Sequence, residues 1–125
     1  MEIMLIEEKA KLFKALSDPN RLRILKMLQV KQLCVCEITE VLSLATSTVS
    51  EHLRILESAG FILGEKDGKW VNYMINPRCS DQVVASILSM LPFWISGDTS
   101  ISSDTSISSD TEKINYIDRN KLCSR

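Results

Sequence analysis

Two cysteines, Cys34 and Cys36, are separated by a single valine and could bind a soft metal or metalloid ion. Side chains at positions i and i+2 point nearly apart on a helix but to the same side of an extended backbone. Both thiolates can therefore bind one ion only where the backbone is extended or distorted. Such a pair suits trivalent arsenic or antimony and copper(I), and with more ligands cadmium or lead.

The third ligand of such a site is left open by the sequence. Cys123 in the tail is the candidate that we predict together with Cys34 and Cys36, while Cys79, a small thiol or no third ligand are the alternatives. His52 is the only histidine, so a mixed Cys/His zinc site is poorly supplied. We expect no permanently bound cofactor, and one of these soft ions, As(III) and Sb(III) among them, as a transient ligand.

The composition is that of a globular protein, with 45% apolar and 25% charged residues among 125. The formal net charge of -1 does not indicate a polyanion partner, so any nucleic-acid surface must be a local patch. No apolar stretch approaches the ~20 residues that span a bilayer, and the first residues lack the basic start of a secretory signal. We therefore expect a cytoplasmic protein with reduced thiols and no membrane partner.

The elements that must position the cysteines follow from apolar periodicity, which predicts a mainly α domain over residues 1–95. Helices are expected near 3–16, from Asp18-Pro19 onward, and near 35–42, 47–59 and 80–91. We predict Thr46 as the N-cap of the fourth helix, Glu37 as an outward residue of the third, and Pro92 as a stop or kink. The Asp-Gly pair at 67–68 favours a tight turn between two strands.

The remaining residues, 96–125, have a different composition. The hexapeptide Thr-Ser-Ile-Ser-Ser-Asp occurs twice in succession over residues 99–110. Such a tract has too few large apolar groups to offset the entropy cost of ordering it. We predict a low-complexity linker followed by a flexible tail.

The order α-α-α-α-β-β-α, with a short turn between the third and fourth helices, predicts a dimeric winged helix-turn-helix. In that fold the fourth helix enters the DNA major groove and the hairpin is the wing. Short hydroxyl side chains, helix N-terminal amides and basic groups suit phosphate and base contacts. The predicted DNA-binding residues are Thr46, Ser47, Thr48, Ser50, His52, Arg54, Lys66 and Lys69.

Four segments carry a family resemblance: ALSDPNRLRIL at 15–25, LCVCEI at 33–38, STVSEHL at 47–53 and GKWVNY at 68–73. In these segments the sequence resembles the ArsR/SmtB family of metal-sensing repressors. The resemblance implies a homodimer formed through the first and last helices, which leaves its operator when an inducer binds. It also implies that Cys34 and Cys36 are the thiolate pair of arsenic and antimony sensors.

Three departures from the family patterns bear on the inducer. Many arsenic sensors have another cysteine where this chain has Thr39, and cadmium/lead sensors have cysteines in an N-terminal extension, whereas none precedes Cys34 here. Zinc sensors place Asp and His ligands on the last helix, which here has Asp81 but no histidine.

The expected function is a homodimeric repressor of double-stranded operator DNA, released when arsenite or antimonite binds Cys34 and Cys36. One alternative keeps the fold but senses cadmium, lead or redox state. Another is a thiol enzyme or metal-trafficking protein, and it is disfavoured because no general base accompanies the cysteines. We therefore expect no enzymatic activity.

Overall fold

The computed structural model describes the backbone of residues 2–78 and 81–95, and the side chains of residues 5–78 and 81–93. Within these ranges the chain forms five helices and one antiparallel hairpin, which confirms the predicted order. The elements are α1 (Glu2–Leu16), α2 (Pro19–Val30), α3 (Val35–Leu42), α4 (Thr46–Ser58), β1 (Ile62–Asp67), β2 (Trp70–Ile75) and α5 (Gln82–Ile95). Cys79, Cys123 and the repeat of the tail lie outside the described residues.

The start of α2 forms as its sequence predicts. The Asp18 carboxylate accepts hydrogen bonds from the backbone N–H groups of Asn20, at 2.8 Å, and Arg21, at 3.2 Å. Pro19 occupies the first helical position, where an amide hydrogen has no partner to lose. Arg21 in this first turn donates back to the carbonyl oxygens of Ala15 and Lys14 at the end of α1.

The turn between α3 and α4 is three residues long and is fixed by Ser43, which adopts the left-handed conformation with φ 56°. The prediction of Thr46 as the N-cap of α4 is wrong by one residue. Ala45 is the N-cap, because its backbone is extended and its carbonyl oxygen already accepts from the Val49 N–H at 3.1 Å. Thr46 therefore lies exposed on the first turn of the helix.

The hairpin is longer than predicted. Strand β1 continues through Asp67, which pairs with Trp70, so that only Gly68 and Lys69 form the turn. Gly68 has φ +62°, a conformation that a two-residue hairpin turn requires and that glycine adopts without a Cβ clash. A separate bridge joins Leu33 to Tyr73 of β2 through backbone hydrogen bonds of 3.1 and 2.8 Å.

Helix α5 continues through Pro92 to Ile95, so of the two predicted effects of the proline, a stop or a kink, the stop is wrong. A proline lacks the N–H that would bond to the carbonyl four residues earlier, which is that of Leu88. The Gln29 side-chain amide donates to the Leu88 oxygen at 3.4 Å and supplies the missing donor from α2. None of the described helices is both long and apolar enough to cross a bilayer.

One apolar core is shared by these elements, and it packs α3 and α4 against α1, α2, α5 and the hairpin. Its fully buried side chains include members of α2, α3, α4, β1 and α5. On α4 the buried stripe is Val49, Leu53 and Leu56, at the spacing of one helical face. The opposite face of α4 is consequently left for solvent or a partner.

Candidate metalloid and nucleic-acid sites

The two cysteines lie on either side of the boundary at which α3 begins. Cys34 is the N-cap, with an extended backbone (φ −94°, ψ 169°), and Cys36 is the second helical residue. Cys34 is a free thiol with 1% of its surface exposed, whereas the side chain of Cys36 is half-buried. The extended backbone that binding of one ion by both sulfurs requires is thus present at Cys34 and absent at Cys36, which is helical.

Glu37 is buried and caps the start of α3. It was expected to point outward, but only 3% of its surface is exposed. Its carboxylate accepts a hydrogen bond of 2.9 Å from the backbone N–H of Cys34, and the Cys34 sulfur accepts from the Glu37 N–H, which completes a capping box. The expectation is wrong because the free amide at the helix start offers the carboxylate a better partner than solvent. A capping residue followed three positions later by Glu was the available signal.

The redox state of the pair also differs in part from expectation. Cys36 is disulfide-bonded, so only Cys34 matches the prediction of a reduced thiol. Within residues 5–78 and 81–93, no three Cys, His, Asp or Glu side chains are grouped so as to hold a metal ion.

The outer face of α4 is polar, as predicted. Thr46, Ser47, Thr48 and Ser50 are all exposed, on the first turns of the helix. Their hydroxyl groups and the free backbone amides of the first turn form a donor-rich surface of the kind that meets phosphates and base edges.

Arg54 lies one turn further along α4 and is held by Glu51. Its Nε and Nη2 atoms donate to the two carboxylate oxygens at 2.9 and 2.6 Å. These hydrogen bonds lower the pKa of the Glu51 carboxyl and raise that of the Arg54 guanidinium. Arg54 therefore presents an oriented guanidinium, and it must turn from Glu51 or share its donors to reach DNA.

His52 occupies a different environment from the exposed hydroxyl groups. It is half-buried, and its Nδ1 lies 3.1 Å from Nη1 of Arg21. Because a guanidinium group can only donate, Nδ1 is the acceptor in this hydrogen bond. Arg21 also donates to the backbone oxygens of Ala15 and Lys14, at 2.7 and 3.3 Å. His52 thus helps to join α4 to the α1–α2 corner.

The two predicted wing lysines, Lys66 and Lys69, are exposed beside the hairpin turn. The ammonium group of Lys69 lies 4.9 Å from the centre of the Trp70 ring, a cation–π contact that limits its freedom. Asn72 donates to the Asp67 carboxylate at 3.1 Å and stiffens the end of the hairpin. The hairpin therefore carries two positive charges beside a turn that is stabilised by side-chain contacts.

Apolar side chains are exposed on the first and last helices. On α1, Ile6 and Phe13 are two turns apart and share a face, and Phe13 is 62% exposed. On α5, Met90 and Phe93 are adjacent on one face, and Phe93 is 82% exposed. Large exposed apolar groups of this kind mark surfaces that associate with other proteins.

Comparisons with known proteins agree with the fold and identify the family. Residues 18–62 match the family model described as bacterial regulatory protein, arsR family. The chain is 44% identical over 70 residues to an uncharacterized HTH-type transcriptional regulator of Methanocaldococcus jannaschii, a match covering 55% of this chain and 79% of that protein. It is 40% identical over 78 residues to the arsenical resistance operon repressor of Bacillus subtilis, covering 62% and 70%. It is also 40% identical over 76 residues to a cadmium resistance regulatory protein homolog of Staphylococcus aureus, covering 60% and 63%.

Solved structures show the same architecture. The homodimeric winged helix-turn-helix domain of a possible ArsR-family regulator from Mycobacterium bovis superposes with a TM-score of 0.63 at 25% identity, over 74% of this chain and 82% of that one. Reduced HlyU from Vibrio cholerae gives a TM-score of 0.61 at 26% identity, over 75% and 95%. The thiol-enzyme alternative is therefore wrong, since family and fold are those of regulators. The chain belongs to the arsR family of DNA-binding transcriptional repressors.

Proposed function

We propose that the protein represses transcription in the cytoplasm by binding operator DNA as a homodimer, and leaves it when trivalent arsenic or antimony binds Cys34 and Cys36. The observation that carries this proposal is the position of the two cysteines across the start of α3, the first helix of the helix-turn-helix. One ion can join an N-cap sulfur to the sulfur two residues later only if the first turn of α3 opens. Binding then breaks the capping box of Cys34 and Glu37.

The opened turn has two physical routes to the DNA-binding surface. On its C-terminal side, α3 leads through the three-residue turn into α4 and packs against it in the shared core. On its N-terminal side, Leu33 is bonded through both of its backbone groups to Tyr73 of the wing. A distortion at Cys34 therefore displaces both the recognition helix and the wing. A coupling of about 1–3 kcal/mol would weaken operator binding by roughly 5–150-fold.

The DNA contacts that we propose are those of the exposed α4 face and the wing. The contacting residues are Thr46, Ser47, Thr48, Ser50, His52, Arg54, Lys66 and Lys69. In a two-fold dimer the two copies of α4 would enter successive major grooves of a partly palindromic site. We propose the exposed apolar faces of α1 and α5 as the dimer interface. Cys123 is the proposed third ligand, with Cys79, a small thiol or no third ligand as alternatives.

The test is release from DNA by competing inducers. An operator selected from a random pool of duplexes would be titrated with reduced protein, and the complex then challenged with arsenite, antimonite, cadmium and peroxide. We expect arsenite or antimonite to release the DNA at the lowest concentration. Reduction is required because Cys36 is disulfide-bonded. Operator binding that is unaffected by arsenite and antimonite would refute the proposed inducer while leaving the repressor intact.

Cadmium is the second candidate inducer, and the similarity to cadmium resistance regulators favours its inclusion. Cadmium prefers more thiolate ligands than the two that the described residues provide. Release by cadmium at lower concentrations than arsenite would therefore indicate sulfur ligands from beyond the described residues or from the partner subunit.

Glu37 is expected to set the concentration of arsenite that causes release. Replacing it by alanine (Glu37→Ala) removes the bond to the Cys34 N–H, so that the ligand no longer has to break it. Loss of such a cap is worth about 1 kcal/mol, and half-release should occur at roughly fivefold less arsenite, with a lower melting temperature. Glu37→Gln keeps an oxygen acceptor and should resemble the wild type. Equal half-release concentrations for the alanine variant and the wild type would show that the cap is not broken by binding.

A further inference from the structure

A pocket of about 310 Å³ lies between α1, the start of α2 and the second half of α4. Four of its seven lining residues are basic and none is acidic. The lining consists of Lys11, Lys14, Ala15, Arg21, Arg54, Ile55 and Ser58. This concentration of positive charge is unexpected in a chain whose formal net charge is -1.

The positive charge of the pocket is only partly compensated. Arg54 is paired with Glu51, which also feels the charge of Arg21. The guanidinium group of Arg21 bonds to two carbonyl oxygens and to Nδ1 of His52, while the Arg21 backbone N–H bonds to the Asp18 carboxylate. Among the side chains that the structure describes, Lys11 and Lys14 form no ion pair. The four basic residues of the pocket thus outnumber the two carboxylates bonded to them, those of Glu51 and Asp18, and the excess positive potential attracts an anion.

The pocket is continuous with the exposed face of α4. Ser47, Glu51, Arg54 and Ser58 are spaced three or four residues apart and form one row along the helix, and the last two line the pocket. Helix α4 has 13 residues, which corresponds to about 20 Å. The major groove is about 12 Å wide. A helix whose first turns lie in the groove therefore brings its second half to the sugar-phosphate wall.

We propose that the pocket binds a backbone phosphate of the operator at the edge of the groove that α4 occupies. Lys11 and Lys14 supply mobile ammonium groups from α1, and Arg21 supplies a guanidinium fixed by the helix corner. The contact is independent of base sequence, and it extends the DNA-binding surface from α4 and the wing to α1. The proposal rests on the proposed function, because it requires that α4 enters DNA.

The test is the salt dependence of DNA binding by the Lys11→Gln/Lys14→Gln variant. The matched control is Lys9→Gln/Lys26→Gln, which removes the same amount of charge at two positions of α1 and α2 that do not line the pocket. Dissociation constants would be measured by fluorescence anisotropy on the selected operator and on a scrambled duplex, between 50 and 200 mM NaCl. We plot the logarithm of the association constant, the reciprocal of the dissociation constant, against the logarithm of the salt concentration. For one lost phosphate contact we expect the slope of this plot to become less negative by about 0.9. The affinities for both duplexes should fall by the same factor.

Two results would overturn the proposal. A pocket variant with the slope of the control would show that no phosphate is contacted there. Inorganic phosphate could bind to the wild type and not to the pocket variant while the salt dependence of DNA binding is the same for both. That result would assign the pocket to a free anion. The proposed function fails separately, if the wild-type protein prefers no sequence in the selection. Arg21 is left unchanged, because its loss would disturb the corner of α1 and α2.

Discussion

A Cys34→Ser variant is expected to bind the operator as the wild type does and to be insensitive to arsenite. Serine is a preferred N-cap residue, so its hydroxyl group should replace the sulfur as acceptor for the Glu37 N–H and preserve the start of α3. Operator affinity should therefore stay within about twofold of the wild type, as for substitutions that remove no packing or cap. The weakening by arsenite, roughly 5–150-fold in the wild type, should disappear. The measurement is a gel-shift titration of reduced protein with and without arsenite.

Further variants locate the remaining ligands. Cys36→Ser should be equally insensitive, because one sulfur cannot impose the distortion that two sulfurs impose. X-ray absorption of the arsenic-loaded protein should show one sulfur fewer in a Cys123→Ser variant, and an unchanged count would exclude the tail as the source of the third ligand. Normal release of the Cys34→Ser variant by arsenite would contradict the proposed site altogether.

The second large effect is expected from Phe13→Glu, which places a charge on the exposed apolar face of α1. If this face and that of α5 form the dimer interface, an unpaired buried carboxylate will prevent association. A monomer can occupy one half-site at a time and loses the gain from linking two binding units. That gain is commonly about 10²–10⁴-fold. We therefore expect a monomer in analytical ultracentrifugation and an operator affinity lower by at least about 100-fold.

The control for this prediction is Val30→Glu, at the end of α2, where an exposed valine lies outside the apolar faces of α1 and α5. It should remain dimeric and retain operator binding. Circular dichroism would verify that both variants are folded. A dimeric Phe13→Glu protein would place the interface elsewhere, and a monomeric one with full operator affinity would remove the need for a dimer in DNA binding.

Local sequence patterns predicted most of the architecture. Asp18 before Pro19 gave the start of α2, the limits of α3 were predicted as observed, and the apolar stripe of α4 faces the core as its spacing indicates. These features depend on residues at most four positions apart, and the rules of helix capping and periodicity describe such interactions. The thiol pair and the exposed hydroxyl groups of α4 were identified for the same reason.

Predictions failed where a distant part of the chain supplied the partner. Pro92 does not end α5, because Gln29, 63 residues earlier in the sequence, donates to the carbonyl that the proline leaves free. His52 bonds to Arg21, which lies 31 residues away. The basic pocket joins residues of three helices that are up to 47 positions apart in the sequence, from Lys11 to Ser58.

The sequence alone thus determined which segments are helical, which faces are apolar and where two thiols stand beside a helix start, because each depends on neighbouring residues. Only the tertiary structure decided which polar groups are buried together and which charges converge, because these depend on how the helices pack.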